Sequence, residues 1–251
     1  MNEFILPIIF LAIAFFYSSV GFGGGSSYLA ILSIILTDFY EIRTTALVFN
    51  LAVVTIGTII YTRNKVFDWR KFWPFILFSI PMAFLGALLK LSESIFFLIL
   101  GGSLLLSALF MGLQAMKRKN ENRSFSWFKR GVLGSSVGFL SGVAGIGGGI
   151  FLSPILNLIG WANPRTVASL ASTFILFNSA SGLTGLLVAD SFQLDLDFAL
   201  PLLCAVIVGG SLGSYLSNSK FNVHLIRGLT AVLVAYVGLR LILLHGYGVR
   251  I

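Results

Sequence analysis

Charge is rare along this chain, and where it falls it cuts the sequence into long apolar stretches. Uncharged runs occupy 4–37, 44–62, 72–89, 94–116, 131–164, 166–189 and 198–219, and a last one, 225–244, is interrupted by Arg227 and Arg240. Most match one helical crossing of a hydrocarbon layer about 30 Å thick, at about 1.5 Å per residue. Runs 4–37 and 131–164 do not. As single helices they would be about 50 Å long, too long for one straight crossing and short for two. Each carries a glycine cluster in its middle, Gly21-Phe22-Gly23-Gly24-Gly25 and Gly145-Ile146-Gly147-Gly148-Gly149. Ordering glycine in a helix costs backbone entropy. Each run therefore reads as two half-length helices joined by a glycine turn deep in the membrane.

The broken runs open an internal repeat. With Gly21–Gly25 laid on Gly145–Gly149, Arg43-Thr44-Thr45-Ala46 falls on Arg165-Thr166-Val167-Ala168. Asp68 and Pro74 fall on Asp195 and Pro201, and Gly86-Ala87-Leu88-Leu89 on Gly213-Ser214-Tyr215-Leu216. The chain divides into a first transmembrane repeat, 1–116, a basic linker, 117–130, and a second repeat, 131–251. Loop charge orients them. Loop 63–71 holds Arg63, Lys65, Arg70 and Lys71, whereas its counterpart 190–197 holds Asp190, Asp195 and Asp197 and no base. Loop 90–94 holds Lys90 and Glu93, against Lys220, His224 and Arg227 in 219–227. A reversed bias is expected when the same unit enters the bilayer in the opposite sense. The expected fold class is all-α integral membrane: two inverted repeats, each a glycine-broken re-entrant helical hairpin plus three transmembrane helices. The termini and loops 37–43, 91–94 and 190–197 then face outward, and 63–71, 117–130, 161–165 and 219–224 face the cytoplasm. The competing arrangement takes each broken run as one full crossing, which makes the repeats parallel.

Composition narrows the class further. Of 251 residues, 57% are hydrophobic and 10% charged, with mean hydropathy +0.96. A soluble domain carries about 25% charged residues, so a soluble enzyme, a disordered chain and a small secreted module are excluded. Lys and Arg outnumber Asp and Glu by 17 to 9, for a net charge of +8. The bases sit in short loops between apolar runs, which is the pattern that orients membrane helices rather than a nucleic-acid footprint. The lone cysteine, Cys204, excludes an internal disulfide and reads as packing. The N-terminus lacks the basic region of a cleavable signal, so it is expected to be retained, in a multi-pass protein of the cell (inner) membrane.

Unpaired backbone groups deep in lipid are tolerated only where they are buried in protein or line a cavity. A helix that starts there turns free N–H groups and its positive dipole end toward the break, a ready anion site. Two such breaks at a repeat interface make a midplane transport site; the alternative is that the glycines only permit close helix packing. Candidate substrate-binding residues are Gly23, Gly24, Gly25, Ser26 and Ser27 at the first break, and Gly147, Gly148 and Gly149 at the second. Asn50, Ser172, Thr173 and Asn178 join them from the helices that follow. Ser18, Ser19, Ser135, Ser136, Ser141 and Ser153 flank the breaks. Asn50 and Ser172, each seven residues after Arg43 or Arg165, read as equivalents in the repeat. Arg43 and Arg165 could attract a bidentate oxyanion, or snorkel to the interface, with Arg43 pairing locally with Asp38 or Glu41. No Asp or Glu falls within an inferred helix interior, which argues against a buried carboxylate proton relay. His224 and His245 alone leave no metal cluster and no catalytic set. The expectation is therefore no enzyme, no cofactor, no metal and no nucleic-acid partner. A small anionic substrate and the lipid bilayer are the expected partners, and the apolar helix faces permit a homodimer.

Together these features resemble the TauE/SafE sulfite-exporter family, also called the toluene-sulfonate uptake permease family. Gly21–Gly25, Gly145–Gly149 with Phe151-Leu152-Ser153-Pro154, Pro164-Arg165, and Phe67-Asp68-Trp69-Arg70 with Pro74 carry the resemblance. It implies an integral membrane protein moving sulfite, sulfonates, sulfoacetate or related sulfur anions. The expected function is a secondary transporter of such anions by alternating access; a passive anion channel or uniporter on the same fold is the alternative.

Overall fold

The computed structural model describes residues 5–116, 125–216 and 223–247; Lys220 and linker residues 117–124 lie outside the described residues. Among the described residues the chain forms ten helices: α1 (Ile5–Ser19), α2 (Gly25–Ile35), α3 (Phe39–Arg63), α4 (Trp69–Ala87), α5 (Glu93–Met116), α6 (Trp127–Ala144), α7 (Gly149–Leu158), α8 (Pro164–Val188), α9 (Leu196–Leu216) and α10 (Val223–Tyr247). Five of them, α3, α4, α5, α8 and α9, are long and apolar enough to cross a membrane. Ile8, Leu109, Val188, Leu196 and Val232 are exposed on the outside of the bundle, where lipid rather than water solvates them. Cys204 stands on this outward surface, not in packing between helices. It shares an i, i+4 row with Leu200, Val208 and Leu212, all exposed, while α9 packs through Val206, Gly209, Gly210 and Gly213.

Polar residues start the surface helices. Asp38 accepts from the N–H groups of Tyr40 and Glu41, Asp68 from Lys71, Ser126 from Lys129, Asn163 from Thr166, and Asp195 from Asp197 and Phe198. Each satisfies donors that the first helical turn leaves open. Asp38 is thus engaged as a helix cap and makes no local pair with Arg43.

The packing of one half recurs in the other. Exchange α1 with α6, α2 with α7, α3 with α8, α4 with α9 and α5 with α10. The packed pair α1–α9 becomes α6–α4, α2–α3 becomes α7–α8, and α3–α8 and α5–α10 map onto themselves. Gly134, Gly138 and Gly142 lay α6 on the backbone of Phe75, Ser79 and Ala83. Gly209 and Gly213 lay α9 on Leu11 and Phe15. Residue numbers rise together along both seams, so α4 and α6 are parallel, as are α1 and α9. Across α3–α8 they run oppositely: Leu47 meets Gly182, Asn50 meets Ser179 and Gly57 meets Ser172. Across α5–α10 the order is again opposite, with Phe97 stacked on His245 and Leu104 beside Gly238.

The register between halves differs from the one the Arg-Thr motif suggests. Asp38 and Asn163 cap α3 and α8, Asn64 and Ala189 end them, and Lys65 (φ 56°) and Asp190 (φ 51°) follow in the same left-handed turn. Arg43 therefore corresponds to Ala168 and Asn50 to Ile175, not to Arg165 and Ser172. The contacts agree, since Gly21 abuts Ala168 as Gly145 abuts Arg43. Caps and burial set a helix's register, and a short identity match can lie about one turn away from it.

Candidate functional site

Each glycine cluster ends one helix and starts the next within buried chain. Gly24 (φ 93°) and Gly148 (φ 81°) precede α2 and α7 in the left-handed region, and neither start has a side-chain cap. A side chain would cost about 1–2 kcal/mol in that conformation. Its Cβ would also lie 2.7 Å from the Tyr28 ring, or 2.9 Å from Phe174 and Ser141. The surface starts of α3, α4, α6, α8 and α9 are capped by side-chain oxygens; these two are not. The first N–H groups of α2 and α7, with the positive ends of both helices, are thus left to whatever occupies the breaks.

Asn50 ties the two breaks together. Fully buried on α3, it donates from Nδ2 to the Ile146 carbonyl of the second break at 3.1 Å and to Ser179 Oγ at 3.4 Å. It also presses on the first break: a Cβ on Gly23 would overlap its Oδ1, and one on Gly25 would lie 2.9 Å from Nδ2. Its Oδ1 has no partner. Gly147 faces Asn50 and Ser179, and Gly149 rests against Ile175 and the Ala171 carbonyl. The structure therefore brings Gly23, Gly25, Asn50 and Gly147 to one locus.

The remaining candidates lie around this locus. Ser27 and Ser26 turn to the Tyr17 hydroxyl, at 2.8 and 3.4 Å. Ser172 donates to the Val54 carbonyl at 3.2 Å and accepts from Thr58 at 3.4 Å. Thr173 and Asn178 donate to carbonyls of their own helix, Ser169 at 2.9 Å and Phe174 at 2.8 Å. Arg43 is buried, donates to the Gly142 carbonyl at 2.5 Å and lies over the Phe96 ring at 5.6 Å. A cation there complements the carbonyl end of α6. Arg165 is exposed at the opposite end of the antiparallel α3–α8 pair, so the two arginines do not converge.

Residues 5–241 match the family described as "Sulfite exporter TauE/SafE". The chain belongs to the TauE/SafE family. Among curated proteins it is similar to "Probable membrane transporter protein y4hK" of Sinorhizobium fredii, at 30% identity over 241 residues, covering 94% of this chain and 97% of that one. It is also similar to "Probable membrane transporter protein YunE" of Bacillus subtilis, at 26% identity over 271 residues, covering 96% and 98%. No solved structure matches it. As a TauE/SafE member the chain is a multi-pass membrane transporter of small molecules, with a transporter's rather than an enzyme's role.

Sequence reasoning missed three residues of this locus. Ser179 meets Asn50 only because α8 runs antiparallel to α3, which no local pattern reveals. Tyr17 and Tyr28 lie in runs that read as apolar. Yet Tyr17 holds both serines of α2, and the Tyr28 hydroxyl is buried beside Gly24 without a partner. Their hydroxyls, flanking a glycine cluster on both sides in sequence, were the available signal.

Proposed function

We propose that this TauE/SafE transporter is a secondary carrier of small sulfur-containing anions such as sulfite, sulfonates or sulfoacetate. It works by alternating access between two inverted repeats, 1–116 and 131–251, in the cell membrane. One observation carries the reading: two helix starts without side-chain caps, one from each half, meet at the fully buried Asn50. Free N–H donors, two positive helix ends and an amide suit a small oxyanion that must bind and leave, because none carries a full charge. Gly24 and Gly148 hold the turns, and Gly23, Gly25 and Gly147 keep Cβ atoms out of the locus.

Inversion is supported by direction. Counterpart helices α3 and α8 run antiparallel, as do α5 and α10, whereas parallel repeats would run them the same way. Re-entry is supported by level. The start of α2 lies beside Asn50, near the middle of α3, and α2 ends where α3 begins. The start of α7 lies likewise beside Ile175 of α8. The glycine-smoothed seams α1–α9 and α4–α6 join the two halves and give them surfaces on which to rock.

Flux of sulfite and sulfonates into liposomes carrying the purified protein tests this. Saturable uptake with counterflow is expected. A continuous, non-saturating conductance would make the protein a channel, and no flux of any sulfur anion would overturn the reading.

A further inference from the structure

Two loops far apart in sequence meet at one end of the α3–α8 pair. Lys65, Asp68, Arg70 and Lys71 join Asn163, Arg165 and Thr166 around a basin of about 620 Å³. It holds four cations and one carboxylate, and Lys71 pairs with that carboxylate at 3.1 Å. Burial would raise the Asp68 carboxyl, but hydrogen bonds from the Lys71 side chain and backbone hold it below its usual range, so it stays ionised beside Lys71. Lys65 sits at φ 56°, a conformation that suits glycine better than lysine, so backbone geometry does not explain a cation there.

The equivalent loops at the other end carry acidic residues where the basin has cations or neutral groups, while Asp68 keeps its sign in its counterpart Asp195. By the structural register, Lys65 corresponds to Asp190, Arg70 to Asp197, Asn163 to Asp38 and Thr166 to Glu41. Gln193 donates its backbone N–H to Thr44 at 3.4 Å, which joins these two loops as the basin joins theirs. The seams beneath differ in the same sense. Below the basic end, Thr58, Ser172 and Ser214 gather around Gly57, and the Ser214 hydroxyl is buried without a partner. The equivalent positions at the acidic end are Leu183, Leu47 and Ala87 around Gly182. Loop charge that served only to orient the helices would not require convergence into one basin.

We infer that the basin is a loading vestibule for small oxyanions: Lys65, Arg70 and Arg165 concentrate the anion at the basic end, and Thr58, Ser172 and Ser214 pass it toward Asn50. The acidic end repels an anion instead, so capture is asymmetric. This deepens the transport reading and rests on it for the passage step; the anion-collecting basin stands independently. Clefts of one sign raise local counter-ion concentration about tenfold or more, and salt screens the effect over a Debye length of about 10 Å at 0.1 M.

Two measurements test it, both in a Cys204→Ser background. First, a neutral fluorophore is attached at Thr166→Cys or, at the acidic end, at Gln193→Cys, and quenched by iodide and by uncharged acrylamide at low salt. The iodide-to-acrylamide ratio is expected to be at least about threefold higher at 166 than at 193, and to fall about threefold in Lys65→Gln/Arg70→Gln. Equal ratios, or no effect of the double variant, would overturn the inference whether or not the protein transports. Second, sulfite KM is measured from each side in oriented liposomes. The double variant should raise KM about threefold from the basic side alone, with the maximal rate held. The difference should vanish at about 0.5 M salt, where the Debye length is about 4 Å. Flux with a KM that the double variant leaves unchanged would overturn the loading role. Iodide excess without any sulfur-anion flux would support the basin and sink the carrier.

Discussion

Asn50 donates to the second backbone break and packs against the first with one amide, so its chemistry is more exposed to test than that of any glycine. In Asn50→Asp the donor to the Ile146 carbonyl is lost and a carboxylate is set where an anion would bind. Sulfur-anion flux is expected to fall below about one-hundredth of wild type, since a buried unpaired charge costs several kcal/mol, with the protein still recovered from membranes. Flux within twofold of wild type would remove Asn50 from the site. Gly24→Val and Gly148→Val should abolish flux for a different reason: both positions require positive φ, and the added atoms meet Tyr28 or Phe174 and Ser141. Insertion should be retained, as read by protease protection. Wild-type flux in either variant would reduce the clusters to packing. The positions of the glycine turns were legible in the sequence, because three successive glycines in an apolar run have few other uses. The convergence on Asn50 was not, because its partners Ile146 and Ser179 are about 100 residues or more away along the chain.

At the scale of elements, the α4–α6 seam depends on backbone touching backbone. A Cβ on Gly138 would lie 2.6 Å from the Ser79 carbonyl. Gly138→Val is expected to destabilise the protein by about 3 kcal/mol, seen as a lowered unfolding midpoint in detergent. Gly102→Ala on α5, with nothing within 4 Å of an added Cβ, should leave the midpoint unmoved or slightly raised. Arg43 belongs to this scale as well. Its guanidinium serves the carbonyl end of α6, so Arg43→Met should cost about 2 kcal/mol of stability and Arg43→Lys less. Equal midpoints for wild type and Arg43→Met would show that the contact adds nothing. Periodicity and charge spacing gave these helices close to their observed limits. In α3 and α8 the Arg-Thr motif lies about one turn away from the true repeat register, because helix caps and burial set that register.

For the whole molecule the decisive property is sidedness. The inverted arrangement would place Asn64, at the end of α3, and Gln193, past the end of its counterpart α8, on opposite sides of the membrane, whereas parallel repeats would place them on the same side. In the Cys204→Ser background, a membrane-impermeant maleimide applied to intact cells should label Gln193→Cys and spare Asn64→Cys until the membrane is opened. Labelling of both from one side would sink the inversion and leave the parallel arrangement. By itself the sequence determined the membrane class, the two glycine turns and the reversal of loop charge. Those follow from local rules: hydrocarbon thickness, the cost of glycine in a helix, and the sorting of cations to one face. Only the tertiary structure decided which polar groups share a locus, in what register the counterpart helices α3 and α8 match, and that two remote basic loops line one basin. Those follow from helix direction and side-chain packing between segments remote in the chain, which no window along the sequence contains.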